Sequence, residues 1–372
     1  MNARARAGGS TVAIALVLLA GAAGPAGAVP RYSARYEQKC ALCHVNPSGG
    51  GMRTLYASQY LVPEEMAWSK PDSEILASID PEIAKRIQIG TDFRTLYTYS
   101  NESADAAVSD FFQMQGDVYL NFQMDDVLSL YYDQGISSSY ELFGLWQGLP
   151  LTGYVKVGRF VPAYGWRFDD HTMYTREALG FSPPTNSDVG VEFGLSPGRL
   201  DMQLSVVNGN RGGTFDDNQK LAAVLNAAYR GRVGPLGWAG GVAGYWEDGD
   251  AANFGSGGPY GYLTWNRLTW LGEVDWFLED PQGTGHTTGL VASNELSYLV
   301  RQGLELKATY DFLDPDWNFE TGAKRRAGGG VFVLAKPFVA VEALYRVTRY
   351  DDGVALSGED DWETVLQLHL LY

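Results

Sequence analysis

The sequence predicts an all-β fold, a transmembrane antiparallel β-barrel of about 16 strands with a short segment ahead of it. Three observations lead there. From about Arg86 to the last residue, apolar and polar residues alternate with a two-residue period in segments of about ten. Beyond the first 28 residues, no apolar run approaches the length of a membrane helix. The 372 residues also include 22 Tyr, 10 Trp and 45 Gly, a mixture suited to many strands joined by tight turns.

Residues 1–28 read as an export signal. Arg4 and Arg6 form a positive start, Thr11–Ala20 is an apolar run too short to span a bilayer, and Ala26-Gly27-Ala28 is a small-residue cleavage site. An uncleaved anchor is the alternative. Cleavage would remove two arginines and no acids, taking the net charge from −16 to about −18, which excludes nucleic acid as a partner. The mature chain is then expected outside the cytoplasm, in the bacterial outer membrane.

The barrel strands start with Ile87, Ile89, Phe93, Tyr97 and Tyr99 on one face and Gln88, Asp92, Arg94 and Thr98 on the other. Phe112, Val118, Leu120 and Phe122 repeat the pattern against Gln113, Gln115, Asp117 and Asn121. A soluble sandwich can share this period. Aromatics crowding strand ends (Tyr260, Tyr262, Trp265, Trp270 and Trp276) fit an interfacial girdle instead. The final stretch Thr364–Tyr372 alternates and ends on an aromatic, which resembles the C-terminal signal of bacterial outer-membrane proteins.

Connections should alternate in length. Asp125-Asp126, Ser196–Arg199, Arg267 and Lys336-Pro337 are short, as periplasmic turns are. Ser100–Ser109, Pro162–Ser187, Asn208–Gln219, Glu247–Gly258, Leu313–Ala323 and Tyr350–Asp360 are long, as outer loops are. The longest, Pro162–Ser187, is the third outer loop, and in porin-type barrels that loop commonly folds inward. Acids such as Asp169-Asp170, Asp216-Asp217, Asp248 and Asp351-Asp352 gather in these loops. They serve either solvation and divalent bridging to anionic lipid, or a field that draws cations such as Fe²⁺ to the mouth.

Chemistry concentrates in Cys40-Ala41-Leu42-Cys43-His44, which contains the chain's two cysteines. This is the attachment pattern of haem c. Two thiols three residues apart can add to both vinyl groups of one macrocycle, and the next residue is placed beneath the iron as proximal ligand. A redox or structural disulfide is the competing reading, but it leaves His44 unexplained. Gly49-Gly50-Gly51 follows, where missing Cβ atoms let backbone lie against a flat ring or simply form a turn. Met52 and Met66 are the nearer candidates for the second axial ligand. His171 or Met173, brought in by an inward third loop, are further ones. Residues 29–85 have too little chain to shield a haem with their own core, so walls must come from the barrel, residues 86–372.

Leader, CxxCH, glycine-rich tail and barrel together resemble the fused monohaem cytochrome–porins of iron-oxidising bacteria. Cys40, Cys43, His44 and the stretch Pro30–Arg35 carry the likeness as motif. The stretch from Val45 to Arg86 is longer than that family's. The resemblance implies an electron conduit. A haem held in the barrel would relay electrons between an extracellular donor or acceptor, such as Fe²⁺ undergoing oxidation, and a periplasmic c-type cytochrome. A diffusion porin with a haem-bearing plug or sensor is the alternative reading, and a haem enzyme such as a peroxidase is a third.

Overall fold

The computed structural model describes residues 30–70, 82–83, 85–101, 107–136, 140–181, 187–209, 218–249, 252–281, 285–319, 322–351 and 360–372. The export signal expected over residues 1–28 lies outside the described residues, as do Asp216, Asp217 and Asp352.

Sixteen antiparallel strands form the barrel. They are β1 (Ile87–Ser100), β2 (Val108–Gln123), β3 (Leu128–Gly135), β4 (Tyr140–Leu149), β5 (Gly153–Phe160) and β6 (Asp188–Leu195). Then follow β7 (Leu200–Val207), β8 (Ala222–Val233), β9 (Leu236–Asp248), β10 (Ala252–Trp265) and β11 (Leu268–Pro281). The last are β12 (Thr287–Arg301), β13 (Leu304–Asp314), β14 (Lys324–Lys336), β15 (Val339–Tyr350) and β16 (Asp361–Leu371). Each pairs with its sequence neighbour, and β16 closes on β1 through a register running from Glu363↔Ser100 to Leu371↔Asp92. Closure leaves no barrel strand with an unpaired edge, which a hydrocarbon environment requires.

Side chains are distributed inside-out relative to a soluble protein. On β7, Leu204 and Val206 point outward and are exposed, whereas Gln203 and Ser205 are buried. On β16, Leu366, Leu368 and Leu370 face out while Gln367 and His369 face in. The interior holds Lys156, Glu192, Glu295, Glu305, Lys307, Asp311 and Arg346 as buried charges. They are paired: Lys307 Nζ stands 2.6 Å from Glu342 and 3.1 Å from Glu295, and Arg326 stands 2.8 Å from Asp311. Pairing is what makes buried charge tolerable. An apolar exterior around a charged interior is the pattern of a barrel that spans lipid.

Two expectations need correction. Glu247–Gly258 is not a long loop: β9 and β10 pair up to Asp248↔Asn253, leaving a tight connection. The glycines read as part of a long loop, yet Gly258 is strand backbone, and a Cβ there would stand 1.8 Å from Val274 O. Tyr260 and Tyr262 do not belong to an outer girdle. The two-residue period of β10 turns them inward, against Trp166, while Trp265 faces out with Trp270 and Trp276.

Candidate functional site

The third loop enters the lumen over its described residues, 161–181. Tyr164 donates its hydroxyl to Asp275 at 2.7 Å, and the Trp166 backbone N–H donates to Glu273 at 2.6 Å. Trp166 Nε1 reaches Gly261 O at 3.0 Å. The loop's short helix, Tyr174–Ala178, docks by the Tyr174 and Thr175 N–H groups on Asp311 and Ser293. Asp169 and Asp170, expected among acids at the mouth, are instead paired inside with Arg94 (3.3 Å) and Arg346 (2.7 Å). Described acids nearer the mouth have partners too: Asp248 pairs with Lys220 and Asp351 with Arg325.

Residues 30–70 fill the end of the lumen that bears the short turns. Helix α1 (Pro30–Tyr36) buries Arg31 at 3.4 Å from both Glu295 and Glu305, and Arg35 reaches Glu305 at 2.5 Å. Lys39 donates to Ser196 O, in the turn between β6 and β7, at 2.6 Å. Arg53 donates to Pro337 O, in the turn between β14 and β15, at 3.1 Å. Helix α3 (Ala57–Met66) is wide, with Ala67 N bonding Val62 O, and Trp68 N then pairs with Leu334 O. These contacts make the segment a plug.

The CxxCH residues sit on this plug. Cys40–Cys43 is a single helical turn, α2, closed by His44 N to Cys40 O at 2.9 Å, and neither cysteine is in a disulfide. The chain then folds into a small hairpin in which Val45 N pairs with Met52 O and Thr54 N with Cys43 O. Its bend is Gly49–Gly51, all three with positive φ. A Cβ on Gly51 would stand 2.2 Å from the hydroxyl of the fully buried Tyr131, so glycine is needed there for space as well as for backbone. The hairpin orients His44. Its Nδ1 lies 3.3 Å from Gly51 O, which can only accept, so Nδ1 carries the proton and Nε2 keeps the lone pair a metal needs. Burial, reinforced by Arg53, pulls the His44 pKa down to about 4, so the ring is neutral at ordinary pH.

Above α2 opens a cavity of about 310 Å³, lined by the plug, the third loop and the barrel wall. Cys40, Cys43, His44, Met66 and His171 all face it. Met52 does not: it packs toward Gly90 and Tyr119 and borders a separate small hollow with Leu55 and Gln88. Met173 is fully buried in the loop's own core and is absent from the cavity lining. Inside-facing alternation could have flagged Arg94, Arg230 and His369, which also line the cavity.

The residues present fit a haem c. Two cysteines outside any disulfide and a neutral, oriented imidazole would supply the covalent and proximal donors. Acids and arginines both line the space, and Arg94 and Arg230 are paired with Asp169 and Asp201. Among the described residues, Arg53 and Arg167 meet only backbone carbonyls and could face the two carboxylates of such a group. Arg230 Nε is buried without a hydrogen-bond partner among the described residues.

No family model and no curated protein matches this sequence. Solved structures do match in shape. An anion-selective porin from Comamonas acidovorans superposes with a TM-score of 0.60 at 12% identity, covering 77% of this chain and 99% of that one. The fold is that of an outer-membrane porin barrel. OprB of Pseudomonas putida gives a TM-score of 0.62 at 8% identity, over 83% of this chain and 99% of its own. OmpT of Vibrio cholerae gives 0.58 at 10% identity, over 77% and 97%. At such identities the likeness concerns the barrel alone.

Proposed function

We propose that this chain is a porin-type barrel of the bacterial outer membrane, closed by its own haem-bearing plug, and that the plug relays electrons. The first half has the broader support, since both the outward apolar surface and the likeness to porins favour a membrane barrel. The haem and the relay rest on the residues. The observation that carries them is the position of Cys40, Cys43 and His44 at a lumenal cavity whose other walls are third loop and barrel.

Bound haem would supply a one-electron couple at the iron. The chain's own residues do the rest. Cys40 and Cys43 would hold the macrocycle, His44 would offer Nε2 because Gly51 O fixes its other nitrogen, and Arg53 and Arg167 would offset carboxylate charge. Arg31, Arg35 and Lys156 lock the plug against the wall, which keeps bulk water and ions from flowing past it. The apolar height of a barrel, about 25 Å, is too thick for one electron hop, so a cofactor held inside shortens the path. The partners on this reading are an extracellular donor or acceptor, such as Fe²⁺, and a periplasmic c-type cytochrome. A diffusion porin whose plug moves aside, with the haem segment as a sensor, is the second reading, and the porin-like barrel favours it.

The test is a haem stain on a denaturing gel combined with ion conductance. Wild type should stain covalently, and Cys40→Ala with Cys43→Ala should lose the stain while remaining a folded barrel. Wild type should also conduct ions poorly in planar bilayers. Stain retained in the double variant would defeat the haem reading, and open-pore conductance in the wild type would favour the diffusion porin.

A further inference from the structure

We propose that His171 supplies the second axial ligand to the haem iron, tying the inward third loop to the plug through one metal; this rests on the haem-bearing reading of the plug. His44 and His171 line one cavity from two different elements, the plug and the third loop.

The loop is clamped on both sides of His171. Before it, Asp169 O accepts from Arg94 Nη1 at 2.8 Å and its carboxylate stands 3.5 Å from Arg31. Asp170 is held by Arg346 at 2.7 Å. After it, Thr172 O accepts from Arg326 at 2.6 Å, and Thr172 N and Oγ1 bond Asp170 at 2.8 and 2.7 Å. Three tethered neighbours hold the backbone on both sides of His171, the kind of support that a rigid metal ligand needs.

The other candidates are placed less well. Of the remaining histidines, His286 is exposed, and His369 Nε2 is already 2.8 Å from Asp92 and 3.2 Å from Arg94. Met52 and Met173 do not face the cavity. Met66 and Met114 do, but Met66 packs in the apolar cluster of Cys43, Leu61 and Phe332, and Met114 packs against that of Leu96, Leu344 and Val365. Two imidazoles would leave the iron six-coordinate with no open position, which suits electron relay and not a peroxidase. They would also hold the midpoint potential below that of a His/Met iron.

The experiment is optical and magnetic spectroscopy of the full-length protein and its variants, with heat-modifiable gel migration reporting a folded barrel. Wild type should be low-spin and lack the sulfur-to-iron charge-transfer band. His171→Ala should turn high-spin, bind added cyanide more than about tenfold tighter because no ligand must be displaced, and regain a low-spin spectrum with added imidazole. His171→Met should stay low-spin, gain the sulfur band and rise in potential. A high-spin wild type, an unchanged spectrum in His171→Ala, or conversion to high spin in Met66→Ala would each overturn the assignment while leaving the haem plug standing. Absence of covalent haem from the wild type would overturn both.

Discussion

Lys156 Nζ and the Glu192 carboxylate, both wholly buried inside the barrel, stand 2.8 Å apart. The same ammonium donates to Asn46 Oδ1 at 3.1 Å and Ser48 Oγ at 2.9 Å on the plug. One cation thus satisfies a wall acid and the loop that follows CxxCH. Lys156→Met strips Glu192 of its counter-charge, and breaking such a buried pair costs about 3–5 kcal/mol. The denaturant midpoint of the folded band should fall accordingly, and Lys156→Met with Glu192→Gln should recover most of it. Equal loss in the single and double variants would show that the pair is not the cause.

Arg31 anchors the plug from the opposite wall through Glu295 and Glu305, with Asp169 of the third loop nearby. Arg31→Ala removes the cation that bridges Glu295 and Glu305 and leaves them with Lys307 and Arg35 as counter-charges. The plug should loosen, and single-channel ion conductance should rise severalfold over the nearly closed wild type. Unaltered conductance would mean that the plug is held elsewhere.

Topology gives an independent check. A tag inserted between Tyr350 and Asp361 should be cut by protease on intact cells, whereas one after Asp126, in the turn between β2 and β3, should be protected. A tag within Gly255–Gly258 should block barrel assembly, because that run is paired strand with backbone packed against it. Free tolerance of the last insertion would restore the long-loop reading.

The barrel was legible in the sequence because lipid reverses the usual burial code. Inward positions of β2 such as Gln115, Asp117 and Asn121 could stay polar while Val118, Leu120 and Phe122 met hydrocarbon. The inward third loop and the shared cavity walls followed from length and from the short haem segment. Other features were hidden. Gly255–Gly258 reads as part of a long loop because glycine weakens any strand pattern, and only cross-strand pairing overrides it. Tyr260 and Tyr262 look like girdle residues, since an aromatic period does not say which face points inward. Choosing His171 over Met52 needs contacts between residues far apart in sequence, such as Arg94 with Asp169 and Arg346 with Asp170.

The central claim is that a haem held by Cys40, Cys43 and His44 in the lumen carries electrons across the barrel. Its most direct test is a proteoliposome with a redox dye trapped inside and Fe²⁺ or another small donor supplied outside. Wild type should reduce the trapped dye, and His44→Ala should abolish that reduction at equal amounts of inserted, folded barrel. Equal electron transfer by wild type and His44→Ala, or none by wild type with several donors, would contradict the account.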